Sequence, residues 1–199
     1  MRDYTIFIPE YIAAGAAIGI IGVELFWPNF RKDALAYLTA LAAVVWFVAG
    51  LFFIGKDAQS FQGLIASDDF TTYFRLLAAG IVFVVSIISA NYMSERTKTA
   101  AEFYGLMLIG GCAMVYMAAA TELITAYISL ELLSFSLYIL VGYLKRDNLS
   151  SEASLKYILL GAFSSAMFLY GMSLVYGVTG TTTYEGIGAA LADRSADTD

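Results

Sequence analysis

The chain has 199 residues, 60% of them hydrophobic and 14% charged, with a mean hydropathy of +0.74, a make-up that excludes an ordinary soluble domain. Its net charge of −6 argues against a nucleic-acid partner, whose phosphates require a basic face. One cysteine and no histidine exclude a disulfide framework and a His/Cys zinc site, and leave Cys112 as a packing residue.

A helix that crosses a bilayer needs about 20 mostly apolar residues, and six stretches qualify: about 6–27, 34–54, 70–91, 102–120, 121–143 and 152–178. The first, "IPEYIAAGAAIGIIGVELFWP", is longer than a signal-peptide core of about 7–15 residues and reads as a retained anchor. Glu10 and Glu24 bracket it, where solvation at the membrane interface explains them. After the second span, "GKDAQSFQGLIASD" reads as a loop. The third span follows Asp68 and Asp69 and carries Arg75 in its first turns, which reads as an interfacial anchor. Little more than Thr121 and Glu122 joins the fourth span to the fifth. The sixth carries Lys156, and small residues recur along it at Gly161, Ser165 and Gly171, which predicts close packing and an inward Lys156. Residues 181–199 read as a polar tail or the start of a further loop. Continuous apolar runs are too long for barrel strands of about 9–11 residues. The predicted fold is all-α, an integral membrane bundle of about six transmembrane helices.

Lysine and arginine set the orientation. Loops after spans one, three and five hold Arg31, Lys32, Arg96, Lys98, Lys145 and Arg146, against Arg2, Lys56 and Arg194 on the other side. The first set is expected in the cytoplasm and the N-terminus outside.

Glu131 and Lys156 are the candidate site residues. Glu131 lies about ten residues from either end of the fifth span, roughly 15 Å from each surface, too deep for a short side chain to reach water. Tyr127, Ser134 and Tyr138 share its helical face at spacings of three and four residues, so the carboxylate is directed toward neighbouring helices. Either it is a protonated structural hydrogen bonder, or it accepts a proton or cation according to the charge nearby. Lys156 follows Glu152 by one turn. That spacing suits a surface ion pair, whereas an inward lysine of shifted pKa would exchange protons. No phosphate loop, nucleophile elbow or metal spacing is present.

The run from "AAATELITAYISLELLSF" through "SSEASLKYILLGAFSSA" resembles the antiporter-like subunits of proton-pumping NADH:quinone oxidoreductase, respiratory complex I, and within that family the first span most resembles the subunit-N branch. The resemblance implies a multi-pass subunit of the cell membrane that moves protons, part of a translocase with no redox site of its own. Glu131 would then answer to a partner lysine, and Lys156 would belong to the proton entry route from the cytoplasm. NADH, FMN, iron–sulfur clusters and quinone are implied in other subunits, and the implied partners are the other membrane-arm subunits, lipid and protons. Full-length members carry about fourteen spans, so the chain resembles the first six, and the seventh helix with its partner lysine has no counterpart here. A multi-subunit cation/proton antiporter, a membrane-bound hydrogenase and a non-catalytic structural fragment remain alternatives.

Overall fold

The computed structural model describes residues 4–27, 30–97 and 99–196, the last three as backbone only. Arg2, Lys98 and the side chain of Arg194, which entered the orientation argument, lie outside the described residues. A 3-10 turn, Tyr4–Phe7, leads into α1 (Ile8–Phe26); α2 (Lys32–Leu51), α3 (Asp69–Arg96), α4 (Ala101–Ala119), α5 (Leu123–Val141) and α6 (Asn148–Thr179) follow, and a shorter α7 spans Tyr184–Ala196. Helices α1–α6 are long and apolar enough to cross a membrane.

The loop expected between the second and third spans contains an antiparallel hairpin, β1 (Ala58–Ser60) paired with β2 (Ile65–Ser67). Strands of three residues are too short to leave an alternating pattern in the sequence. Phe61, Gln62 and Gly63 turn it with φ of 51°, 64° and 88°, a left-handed run in which only the glycine is free of steric cost. The segment after residue 183, which carries little apolar periodicity, is helical from Tyr184 to Ala196.

The core lies among α1–α4. Ala13 and Ala17 of α1, Ala36 and Ala43 of α2, and Ala78 and Ala79 of α3 are fully buried, because small side chains let helix backbones approach in lipid, where no hydrophobic force drives helices together. Gly111 of α4 is one such approach: a Cβ there would meet the Trp46 ring at 3.1 Å. Helix α5 packs on α4, and α6 on α5. Along its 32 residues α6 buries none.

Polar side chains close the helix ends. Asp68 caps α3, accepting from the Thr71 N–H at 2.8 Å, and Asp147 caps α6, accepting from the Leu149 N–H at 3.0 Å. Glu24, from the far end of α1, accepts the N–H groups of Ala100 at 3.1 Å and Ala101 at 2.7 Å. It serves α4 as an N-cap supplied from another helix, since Ala100 has no side chain to do so. Replacing Glu24 by Ala is expected to lower stability by about 1 kcal/mol, read as a shift in denaturation midpoint in bilayer mimetics, whereas Glu24→Gln, which keeps an acceptor, is expected to lose less.

At the hairpin end, the chain is laced across the bundle. Thr121 donates its N–H to the Leu64 carbonyl at 3.1 Å, Leu123 donates to the Thr182 carbonyl at 3.0 Å and Tyr184 to the Thr121 carbonyl at 3.1 Å. Arg96, Lys145, Arg146 and Lys32 surround one cleft at the opposite end, while Lys56 lies beside the hairpin. The described lysines and arginines of the loops thus separate between the two ends as the sequence implied.

Candidate functional site

Glu131 is the ninth residue of α5, about 12 Å along the helix from Leu123 at 1.5 Å per residue. It is half-buried, and its Oε1 is fully buried with no hydrogen-bond partner. No ion pair among the described residues includes it. Tyr127, one turn earlier, interacts with the same carboxyl. The polar stripe expected on α5 turns toward α6: Tyr127 stacks on Phe168 with ring centres 6.0 Å apart, and Tyr138 meets Tyr157 edge-on at 4.9 Å. These two contacts fix an antiparallel register in which Glu131 stands level with the neighbourhood of Ser165. A buried carboxylate oxygen without a donor is costly whether the group is charged or neutral.

Lys156 lies elsewhere. Its side chain is 70% exposed and pairs with Glu152 at 2.5 Å. In the α5–α6 register it stands nine positions along α6 from the level of Ser165, about 13 Å in axial rise, so the helices do not bring it to Glu131. The small residues of α6 do make a close approach, at Gly161 against the Tyr138 phenol, but Lys156 points away from that seam.

Two acidic and basic residues read as interfacial are in fact the most deeply held charges in the bundle. Arg75 and Glu10 are both 0% exposed. The Arg75 Nε–H donates to Glu10 Oε1 at 2.6 Å and Nη2 donates to Glu10 Oε2 at 3.2 Å, a forked pair, with a further bond from Nη2 to the Ile6 carbonyl at 3.2 Å. The guanidinium also lies over Phe53 at 5.5 Å and Phe7 at 6.0 Å. Gly50 of α2 makes room for its stem, since a Cβ there would meet Arg75 Cδ at 3.0 Å. Interfacial solvation fails as an explanation because the hairpin and the Tyr4–Phe7 turn close over this end. A sequence signal did exist: α1 and α3 run in the same direction, and opposite charges stand in the first two turns of each, at the third and seventh positions. Cys112 packs as expected, buried, with its Sγ 3.8 Å from the Glu10 carbonyl. Glu122, at the joint between the fourth and fifth spans, is buried and accepts the hydroxyls of Thr125 and Thr182, both at 2.8 Å.

The family described as NADH:quinone oxidoreductase/Mrp antiporter, TM, matches residues 120–197, the segment that holds both Glu131 and Lys156. NADH-quinone oxidoreductase subunit N 1 of Koribacter versatilis (strain Ellin345) is 38% identical over 205 residues, covering 98% of this chain. The chain is a homologue of NADH-quinone oxidoreductase subunit N. Subunit N of Trichlorobacter lovleyi (strain ATCC BAA-1151 / DSM 17278 / SZ) is 39% identical over 183 residues, covering 90% of this chain. A chain of respiratory complex I from Thermus thermophilus, solved with bound aureothin, superposes with a TM-score of 0.72 at 28% identity over 88% of this chain and 38% of its own length. The fold is therefore that of the antiporter-like membrane subunits of complex I. Against the two curated subunit N sequences the chain spans 40% and 37% of their length.

Proposed function

We propose that the chain is part of a proton-translocating membrane-arm subunit of NADH:quinone oxidoreductase in the cell membrane, with its N-terminus outside. Glu131 takes up and releases the proton, and Lys156 belongs to the route from the cytoplasmic side. NADH oxidation and quinone reduction, with FMN and the iron–sulfur clusters, belong to partner subunits, and this chain contributes no redox centre. The observation that carries the reading is the buried, unpartnered Oε1 of Glu131 at mid-span, a group whose charge is set by whatever cation approaches it. Helix α6, which buries no residue, offers the face on which the remainder of a full-length subunit, or a separate chain, would pack and bring such a cation.

Magnitudes agree. Moving one charge against 100 mV takes about 2.3 kcal/mol, and each pKa unit is worth about 1.4 kcal/mol. A basic group that approaches and withdraws from a buried carboxyl changes its hold on a proton by energies of this order.

The test is Glu131→Gln in the assembled complex, which keeps shape and removes the titrating group. Proton translocation through this subunit is expected to fall by about a hundredfold, the usual scale for losing a positioned proton carrier, with membrane insertion unchanged. Undiminished NADH-driven pumping would remove Glu131 from the path. Proton uptake into vesicles driven by sodium without NADH would instead favour a cation/proton antiporter.

A further inference from the structure

Seven buried side-chain N and O atoms lack a hydrogen-bond partner among the described residues, and four of them, Ser60 Oγ, Ser67 Oγ, Thr72 Oγ1 and Arg75 Nη1, fall in the hairpin and the first two turns of α3. Orphaned buried donors are rare, and when they cluster the usual explanation is internal water. These four atoms follow one another from the hairpin surface inward along α3. Ser60 and Ser67 line a cavity of about 930 Å³ at the hairpin, together with Asp57 and Asp68. Thr71 donates its hydroxyl to the Ala66 carbonyl at 3.1 Å, which seats the first turn of α3 on β2. Thr72 and Arg75 then follow on one face, one helical turn apart, about 5 Å. At the inner end stands the Glu10–Arg75 pair, with the Arg75 Nη1 left without a hydrogen-bond partner. Charged side chains within spans face either a partner or a water-filled cavity; Glu10 is the partner of Nε and Nη2, and Nη1 is left without one.

We propose that the hairpin end holds a water-binding site, a file of internal waters that enters at Ser60 and Ser67, passes Thr72 and ends on Arg75 Nη1, so that the Glu10–Arg75 pair is in contact with the aqueous phase on that side of the membrane. The site is separate from Glu131 and independent of the proton pathway assigned to it. Two consequences follow from the chemistry. The hydroxyls act as donor and acceptor in turn, which a water file needs and an apolar plug would not supply. Below Arg75 the α3 face changes to Ala78, Ala79 and Val82, all buried, and the file stops.

Single-cysteine variants of the full chain in membranes test this directly. In a Cys112→Ala background, Gln59→Cys, Ser67→Cys, Thr72→Cys and Ala79→Cys are each exposed to a small cationic methanethiosulfonate reagent that cannot cross lipid. Ser67→Cys and Thr72→Cys are expected to react from the hairpin side within about tenfold of the rate at exposed Gln59→Cys, since only a hydrated thiolate is the nucleophile, while Ala79→Cys stays unmodified. A silent Thr72→Cys beside a reactive Gln59→Cys overturns the file, and so does a reactive Ala79→Cys, which would mean general opening. The chain without substitutions provides a reading free of folding effects: in arginine-labelled protein held in bilayers, magnetisation transfer from water is expected to reach the Arg75 guanidinium, and its absence overturns the proposal.

Discussion

Arg75→Met is expected to lower the stability of the bundle by about 3–5 kcal/mol, the loss that follows when one partner of a buried ion pair is removed and the other is left uncompensated. Glu10 would remain 0% exposed, stripped of both guanidinium bonds, and Glu10→Met would strand Arg75 in the same way. The double variant Glu10→Met/Arg75→Met is expected to recover most of the loss, because two apolar side chains of similar volume remove the desolvation penalty along with the attraction. Denaturation midpoints of the single and double variants in bicelles check the cycle. A single variant as stable as the parent would mean that the pair contributes nothing to the fold. Water reaching the pair through the hairpin would hold the single-variant losses at the lower end of the range, since a stranded Glu10 could then be hydrated.

The second large effect is expected at the α5–α6 seam. A Cβ at Gly161 would overlap the phenol of Tyr138, and that ring cannot retreat easily: it is buried and edge-on to Tyr157 at 4.9 Å, while the backbone carbonyl of Tyr138 is tied to α6 by the Ser154 hydroxyl, which donates to it at 3.1 Å. Gly161→Ala is expected to cost about 1–3 kcal/mol by overpacking, and Tyr138→Phe in the same chain to return part of it by deleting the offending oxygen. At Gly171 and Gly177, where a Cβ meets nothing within 4 Å, alanine is expected to be neutral or to stabilise by up to about 1 kcal/mol through helix propensity. Equal effects at all three glycines would show that helix propensity, not the Tyr138 contact, decides the outcome. The seam also positions Glu131, since Tyr127 and Tyr138 bracket it on the face that meets α6. Loosening Gly161 against Tyr138 is therefore expected to disturb the carboxylate as well as the stability.

Charge legibility differed between these two centres for a physical reason. Glu131 stands alone in an apolar run, and depth follows from counting residues along one helix, so its burial could be argued without a partner. Glu10 and Arg75 are 65 positions apart, each near a helix start where interfacial water is the default solvent. Their mutual burial depends on the Tyr4–Phe7 turn and the hairpin folding over that end, a long-range arrangement carried by Ile65 packed with Ile6, Phe7 and Ala119. Lys156 was ambiguous for a related reason. Of the small residues expected to pack α6 into the bundle, Gly161 meets Tyr138 but Gly171 meets nothing within 4 Å, and the helix buries no residue; which face carries a seam depends on the neighbour it meets, and the face bearing Lys156 meets none in these six helices.

Taken by itself, the sequence determined the membrane class, the six spans, the separation of basic residues between the two ends and the depth of Glu131, because all of these follow from hydropathy and residue counting along single helices. Only the tertiary structure decided which charges are paired, where the unpartnered donors gather and which faces remain uncovered. Pairing and desolvation depend on atoms brought together from helices distant in sequence, and no local pattern records them.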